Sequence, residues 1–415
     1  MGGELSTATR FWIAIVILLL SIVWRQGLLF VVSLVLLLAL SVAWVWGRYC
    51  LDRVEYRRRL SQSRAFFGEE VELAIEIINR KLLPLAWIEI EDEIPSDLEP
   101  VKGRSVPSHK AGRSLLLNLL SLRPYERVRR RYRVRCDTRG LFTFGPTRLC
   151  SGDVFGFYSR EAEVAQRDQL LVYPRVVPIT RLGLPAKDPF GDRKTRQWIF
   201  EDPLRTVGVR EYVYGDSPRR IHWKATARSQ KLQVKVYEPT TSYRLMVFLN
   251  LNTYGQFWWW PGFDSDVLEL SISVAASVAN WAVEQGYQVG LCANSLLQGA
   301  SERVKVPAGR DPEQLTQILE ALAKTLPFAS VPFESLLRAE SHELPYGATL
   351  VLITAVLSDE ILSAVLALRA SGHRLALLLI GDDAPDLREP GITVYRIGAE
   401  ARWRELPELA LASEG

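Results

Sequence analysis

Cysteine is scarce and scattered in this chain. Cys50, Cys136, Cys150 and Cys292 are spread over 415 residues, and none forms a C-x-x-C pair. A disulfide framework is thereby excluded, and a reducing compartment suits such a chain. Charge of one sign is also missing. The formal net charge of +4 is too small to indicate a nucleic-acid partner, and 24% charged with 48% hydrophobic residues is ordinary for globular protein. The length leaves room for two or three domains.

Long apolar runs are present, and both lie near the start. Residues 11–24 (FWIAIVILLLSIVW) and 28–46 (LLFVVSLVLLLALSVAWVW) carry no charge, and only Arg25, Gln26 and Gly27 separate them. A span needs about 20 apolar residues at 1.5 Å each. The second run satisfies this, while the first must recruit residues 5–9, tilt, or thin the bilayer. Trp12, Trp24, Trp44 and Trp46 lie near the run ends, where aromatic belts form. A cleaved signal peptide would need a small-x-small site, which is not evident. The short loop makes the runs one antiparallel hairpin with both ends on one side. Arg48, Arg53, Arg57, Arg58 and Arg59 follow the second run, against Arg25 in the loop. The positive-inside rule therefore places the body in the cytoplasm, anchored to the cell membrane by residues 1–60.

Residues 61–180 read as a β-rich, sandwich-like domain. Glu70–Asn79 alternates, with Val71, Leu73, Ile75 and Ile77 on one face. Trp87–Ile94, Leu115–Leu120 and Val128–Cys136 supply further strands. Arg129, Arg131, Arg133 and Arg135 share one strand face by the period of two. The plain reading is a solvated face paired with neighbouring glutamates; contact with anionic lipid headgroups is the alternative. Residues 181–240 read as a connector. From 241 to 415 strands and helices alternate, which indicates a parallel sheet with crossovers in an open α/β domain. Strands are expected at Leu245–Leu251, Tyr287–Ala293, Thr349–Thr354, Arg374–Gly381 and Thr393–Ile397. Helices are expected at Asp264–Gln285 and Pro312–Thr325, with another capped by Ser358 and favoured by Asp359 and Glu360 in its first turn.

The most distinctive stretch is residues 210–238, REYVYGDSPRRIHWKATARSQKLQVKVYE, preceded by RGLFTFGP (139–146), GDVFGFY (152–158) and VYP (172–174). The cations Arg210, Arg219, Arg220, Lys224 and Arg228 sit among the acids Glu211, Asp216 and Glu238. Tyr212 lies beside the first pair, Gly215-Asp216 reads as a turn, and Pro218 holds its exit. His222 and Lys224 share a side if residues 221–225 are extended, with Trp223 on the other. One reading is a structural clasp in which Trp223 and Ile221 fill a core between domains. A second is an anion or partner-peptide site, since arginine pairs bidentately with carboxylates and phosphates. A third is a catalytic His222–Asp216 pair, although no nucleophile elbow, P-loop or metal-ligand spacing lies near it.

These motifs closely resemble the bacterial family known only as domain of unknown function fifty-eight. The resemblance implies a β-rich domain joined to a von Willebrand factor A-like domain, a MoxR-type AAA+ ATPase as associate, and no established reaction. A domain of that kind holds a divalent cation on a D-x-S-x-S motif after its first strand, with a threonine and an aspartate from later loops. Here residues 250–254 read NLNTY and residues 353–355 read ITA, so two carboxylates are absent and neither metal nor cofactor is expected. Asp264, Asp266 and Asp359 remain nearby. The same loop carries Trp258, Trp259 and Trp260, placed at the carboxyl end of the sheet where ligands bind. They read as packing, as a recognition patch, or as a membrane contact.

Taken together the chain reads as a membrane-anchored, non-enzymatic scaffold or adaptor that binds protein through a metal-degenerate A-like domain. The competing reading is a membrane-associated hydrolase or transferase using the His222 cluster.

Overall fold

The computed structural model describes residues 7–182, 201–213, 221–239, 244–253, 264–344, 348–381, 392–398, 404 and 409–413. It divides into two compact units at Pro174/Arg175.

The first unit opens with helices α1 (Thr7–Val23) and α2 (Gly27–Tyr49). α2 is long and apolar enough to cross a membrane, whereas the apolar part of α1 is shorter. Ala14 and Ser21 of α1 and Ser33 and Ala43 of α2 are buried; small side chains let two apolar helices approach closely. Eleven strands follow: β1 (Val54–Leu60), β2 (Arg64–Ala65), β3 (Glu70–Asn79), β4 (Leu85–Pro95), β5 (Arg104–Pro107), β6 (Arg113–Leu122), β7 (Arg127–Arg135), β8 (Gly140–Phe144), β9 (Thr147–Gly152), β10 (Ser159–Val164) and β11 (Asp168–Val172). They form sheets ordered β1-β3-β7, β10-β9-β4-β6-β5 and β2-β11-β8. One apolar core joins them, including Leu73, Ile75, Ile77, Ile88, Ile90 and Phe144. The arginine face of β7 is solvated: Arg131 lies 3.4 Å from Glu72 and Arg133 3.8 Å from Glu70 on β3, as the plain reading of that face expects.

The basic flank after α2 behaves differently from a solvated tail. Arg57, Arg58 and Arg59 belong to β1, and Arg58 points inward with Tyr56. Its guanidinium is fully buried, 2.5 Å from Asp92 and 2.8 Å from Asp168. It also donates to the carbonyls of Phe144 (2.9 Å) and Gln166 (2.8 Å). Asp92 accepts further from Tyr56 (2.7 Å) and Thr147 (2.8 Å). Burial, then the Asp92 carboxylate, holds the Tyr56 phenol above its usual range, so it remains a donor. Gly145, in the RGLFTFGP motif, has φ +89° and closes over this centre; a Cβ there would strike the Gln166 carbonyl and the Arg58 guanidinium.

The second unit comprises β12 (Ile179–Leu182), β13 (Glu201–Glu211), α3 (Trp223–Ser229), β14 (Gln233–Pro239), β15 (Arg244–Leu249), α4 (Ser265–Glu284), β16 (Gln288–Leu296), β17 (Arg303–Gly309), α5 (Gln314–Ala323), α6 (Phe333–Ser341), β18 (Thr349–Thr354), α7 (Asp359–Ala370), β19 (Arg374–Ile380), β20 (Ile392–Ile397) and β21 (Leu409–Ser413). Eight strands form a sheet ordered β12-β21-β20-β19-β18-β15-β16-β17. From β20 through β16 neighbours are parallel. The inner strands of this parallel part carry near-continuous apolar runs, LMVFL in β15 and LALLLI in β19, as strands covered by helices on both faces do. α4 has the length and apolarity of a span, but most of it is buried, so it is the core helix of this domain. β17, an antiparallel edge strand, and α6 were not read in the sequence; nor was the antiparallel ribbon β13–β14 inside the expected connector.

Candidate functional site

β15 lies between β18 and β16. The chain therefore leaves it in one direction toward β16 and in the other toward β18, β19 and β20. Such a reversal opens a crevice at the carboxyl ends of the strands, where ligands bind in open α/β sheets. Leu249 pairs with Ala293 of β16 and Ile353 of β18. One residue further along each strand stand Asn250, Asn294 and Thr354, and all three are buried.

Their side chains form one row. Asn250 donates from Nδ2 to Thr354 Oγ1 (3.0 Å), and its Oδ1 accepts from Asn294 Nδ2 (2.9 Å) and the Asn252 amide (3.0 Å). Asn294 Oδ1 accepts from the Leu251 amide at 2.9 Å, and its Nδ2 also reaches the Val331 carbonyl at 3.3 Å. The Thr354 hydroxyl donates to the Val356 carbonyl (2.6 Å) and accepts from the Val356 amide (3.1 Å). The row is neutral and its hydrogen bonds close on the protein itself, which a buried polar group requires.

A hard divalent cation needs charged oxygen ligands, and this row presents amide N–H donors instead. Asp264 is engaged as the N-cap of α4, accepting from the amides of Asp266 (3.0 Å) and Val267 (3.2 Å). Its own amide donates to Thr253 Oγ1 at 2.9 Å. Asp359 opens α7, where Ser358 Oγ accepts from the Ile361 amide at 3.3 Å. Among the described residues no group of three or more His, Cys, Asp or Glu is placed to hold a metal. Asn250 and Thr354 were singled out in the sequence, but Asn294 was not. The signal was present: the apolar strands of β15 and β16, LMVFL and QVGLCA, are both followed by asparagine.

The second candidate is the signature. Its described part is the β13–β14 ribbon and the short helix α3. The Tyr212 amide donates to the Leu232 carbonyl (2.9 Å), and the Lys231 ammonium lies 3.0 Å from the Glu211 carboxylate. Arg210 donates to the Glu211 carbonyl at 3.2 Å. His222 ends the ribbon: its amide donates to the Gln233 carbonyl at 2.7 Å, and its Nδ1 accepts from the Ala225 amide at 3.0 Å. His222 is thus the N-cap of α3, not part of an extended segment flanked by Trp223 and Lys224. The helix begins at Trp223, and the cap turns that ring outward.

This corrects the clasp. Trp223 is 69% exposed, and α3 contains no buried residue. Among the described residues, this seven-residue helix is held by its cap and the ribbon. Lys224 and Arg228 are exposed beside it. His222 Nδ1 is engaged by the Ala225 amide, so a His222–Asp216 pair would have to use Nε2. Gly215, Asp216, Arg219, Arg220, Trp258, Trp259 and Trp260 lie outside the described residues.

The second unit is therefore an open α/β-sheet domain whose strand ends at the switch point carry a neutral hydrogen-bonded row, Asn250, Asn294 and Thr354, with a separate ribbon and helix bearing the signature. Residues 208–391 match the family model described as protein of unknown function DUF58, a span that takes in both the row and α3. The chain is 23% identical over 243 residues to the uncharacterized protein YeaD of Bacillus subtilis (strain 168), covering 59% of this chain and 56% of that protein. The match thus spans little more than half the length of that relative. Among solved structures, a cohesin module from a Clostridium perfringens ATCC13124 family 33 glycoside hydrolase is 11% identical, with TM-score 0.21, over 29% of this chain and 96% of that one. The Bacillus subtilis sporulation control protein Spo0M is 12% identical, with TM-score 0.18, over 29% of this chain and 49% of that one. Superpositions that weak define no common fold.

Proposed function

We propose that this protein is a non-enzymatic adaptor, anchored in the cell membrane by the α1–α2 hairpin with its body in the cytoplasm. Its second unit is a von Willebrand A-like domain in which a neutral hydrogen-bonded row stands where metal-binding relatives carry their ligands. It binds protein, and the partner is a MoxR-type AAA+ ATPase or a client presented to one. The observation that carries this reading is the exposure of Trp223. A large indole held in water on a capped helix, beside Lys224 and Arg228, has the composition of an interface hot spot. The same ribbon and helix also expose Val209, Val213 and Leu232.

The test compares the full chain with its Trp223→Ala variant in detergent. Truncating an exposed ring should change stability by no more than about 0.5 kcal/mol, read by thermal unfolding. Binding to the purified MoxR-type ATPase encoded in the same genome should weaken at least about tenfold, which corresponds to 1.4 kcal/mol. A variant that unfolds returns Trp223 to a structural role. A stable variant that binds equally well removes the signature from the interface.

A further inference from the structure

Two loops of the first unit are tied to the end of α2, and both carry solvent-exposed apolar side chains. One is the turn between β9 and β10, in the GDVFGFY motif. The buried Asp153 organises it, accepting from the amides of Phe155 (2.8 Å) and Tyr158 (2.6 Å), while Trp87 Nε1 donates to the Asp153 carbonyl (3.2 Å). The turn is therefore fixed, yet Val154 and Phe155 are each 58% exposed and Phe157 39%. The two phenylalanine rings stack with centroids 6.0 Å apart. The other loop joins β3 to β4. Its buried Lys81 donates to the carbonyls of Cys50 and, at 2.8 Å, Asp52, where an ammonium suits the negative end of a helix. Leu82, next to it, is 76% exposed.

The contacts fix the direction in which the first loop points. Arg160 bonds to the Arg48 carbonyl and to Asp52, both at 2.7 Å. Two residues nearer the turn, Tyr158 packs on Gly47 so closely that a Cβ at position 47 would lie 2.6 Å from the Tyr158 Cβ. Moving from Arg160 to Tyr158 thus moves back along α2, from its polar exit toward its apolar body. The tip at residues 154–157 lies beyond the last pair of this hairpin, Gly152 with Ser159, on the Tyr158 side of Arg160. Arg48, over the Trp44 ring at 5.7 Å, marks the level at which the helix leaves the apolar layer.

We propose that these loops form a collar that dips into the bilayer interface around the exit of α2, with Val154, Phe155, Phe157 and Leu82 inserted among the lipid chains and headgroups. Aromatic rings favour that layer. At the level of the helix exit, the apolar phase that a fixed turn meets is the bilayer interface. The proposal rests on α2 being a membrane span. It gives the sheet-rich unit a set orientation on the membrane rather than free movement on a tether.

The test uses the full chain reconstituted in phosphatidylcholine–phosphatidylglycerol vesicles, with an environment-sensitive fluorophore on one introduced cysteine. Labelling of the unsubstituted chain gives the background from its native cysteines. Phe155→Cys and Leu82→Cys report the two loops independently, and Val35→Cys reports the middle of α2. Phe66→Cys is the matched control. It is as exposed as Phe155 (58%), but it lies near Glu70, at the far end of β3 from Asn79, about 30 Å away at 3.3 Å per residue. Lipids carrying a shallow nitroxide should quench the labels at 155 and 82 at least twofold and leave the label at 66 unchanged. Lipids carrying a deep nitroxide should quench the label at 35. Quenching at 35 without quenching at 155 and 82 overturns the collar and leaves the anchor standing. Equal quenching at 66 and 155 also overturns it, by showing indiscriminate contact. No quenching at 35 shows that the anchor itself is wrong, and the collar falls with it.

Discussion

Each unit seals a polar centre inside an apolar core, but the two centres are built on opposite principles. In the first unit Arg58 and Asp92 are charged, and neighbours at every side satisfy them: Tyr56, Thr147, Asp168 and the carbonyls of Phe144 and Gln166. In the second, Asn250, Asn294 and Thr354 are neutral, joined by two hydrogen bonds among themselves and satisfied otherwise by backbone groups of Leu251, Asn252, Val331 and Val356. A buried ion pair gains little over an apolar filling, yet it is costly to break because one charge is left alone. A neutral row loses only hydrogen bonds. The first arrangement fixes which strands meet. The second occupies the carboxyl ends of β15, β16 and β18 with neutral groups.

The sharpest way to break this contrast is at Asp92. Asp92→Ala takes away the fully buried carboxylate and leaves the buried Arg58 guanidinium with the partly exposed Asp168 as counter-charge; it should cost about 3–5 kcal/mol, a large share of a stability of about 5–15 kcal/mol. Thermal unfolding of the full chain reads it. Replacing both partners, Arg58→Met with Asp92→Leu, should recover most of that loss, since the carboxylate left without its arginine, Asp168, is partly exposed to water. A single variant as stable as the native chain would show that Arg58 reaches water after all. In the second unit Asn294→Ala strands the Leu251 amide and one acceptor of Asn250. It should cost about 1–3 kcal/mol, less than the first variant by the same measurement. A loss as large as that of Asp92→Ala would mean that the row is a keystone of the sheet rather than a filling.

The contrast also marks what the sequence made legible. The bounds of β3 (Glu70–Asn79) and β18 (Thr349–Thr354) follow from alternation and from an unbroken apolar run. Ser358 announces its helix as a cap, and Asn250 and Thr354 stand out as the wrong residue types for a cation. The ionic centre was missed although its trace was there. Asp92 shares the parity of Ile88, Ile90 and Ile94, and Arg58 that of Tyr56 and Leu60, so the period of two places both charges inward. What hid them was the composition around them, three arginines in a row and three glutamates, which reads as a solvated face. Trp223 failed for the converse reason. Tryptophan is usually buried, and nothing in the residues 221–225 alone distinguishes an extended segment from a helix that starts one residue after a histidine cap. Partners along the chain decide that, through Gln233 and Ala225.

The smallest effect separates the two units kinetically. Cys136 lies in the core of the first unit and Cys292 in that of the second. Burial, then Glu69, pushes the Cys136 thiol up to about 11, and burial, then Glu340, pushes Cys292 up to about 12. An ordinary thiol titrates near 8.5, and the thiolate is the reactive form. At pH 8 both should therefore react with iodoacetamide at least about a hundredfold more slowly than the same cysteines in denaturant, and each only when its own core opens. The rates, read by mass spectrometry of the modified peptides, then report local opening. Asp92→Ala should accelerate Cys136 and leave Cys292 unchanged, while Asn294→Ala, two residues from Cys292 on β16, should do the reverse. If either variant accelerates both thiols equally, the two cores open together and their polar centres support one cooperative structure rather than two.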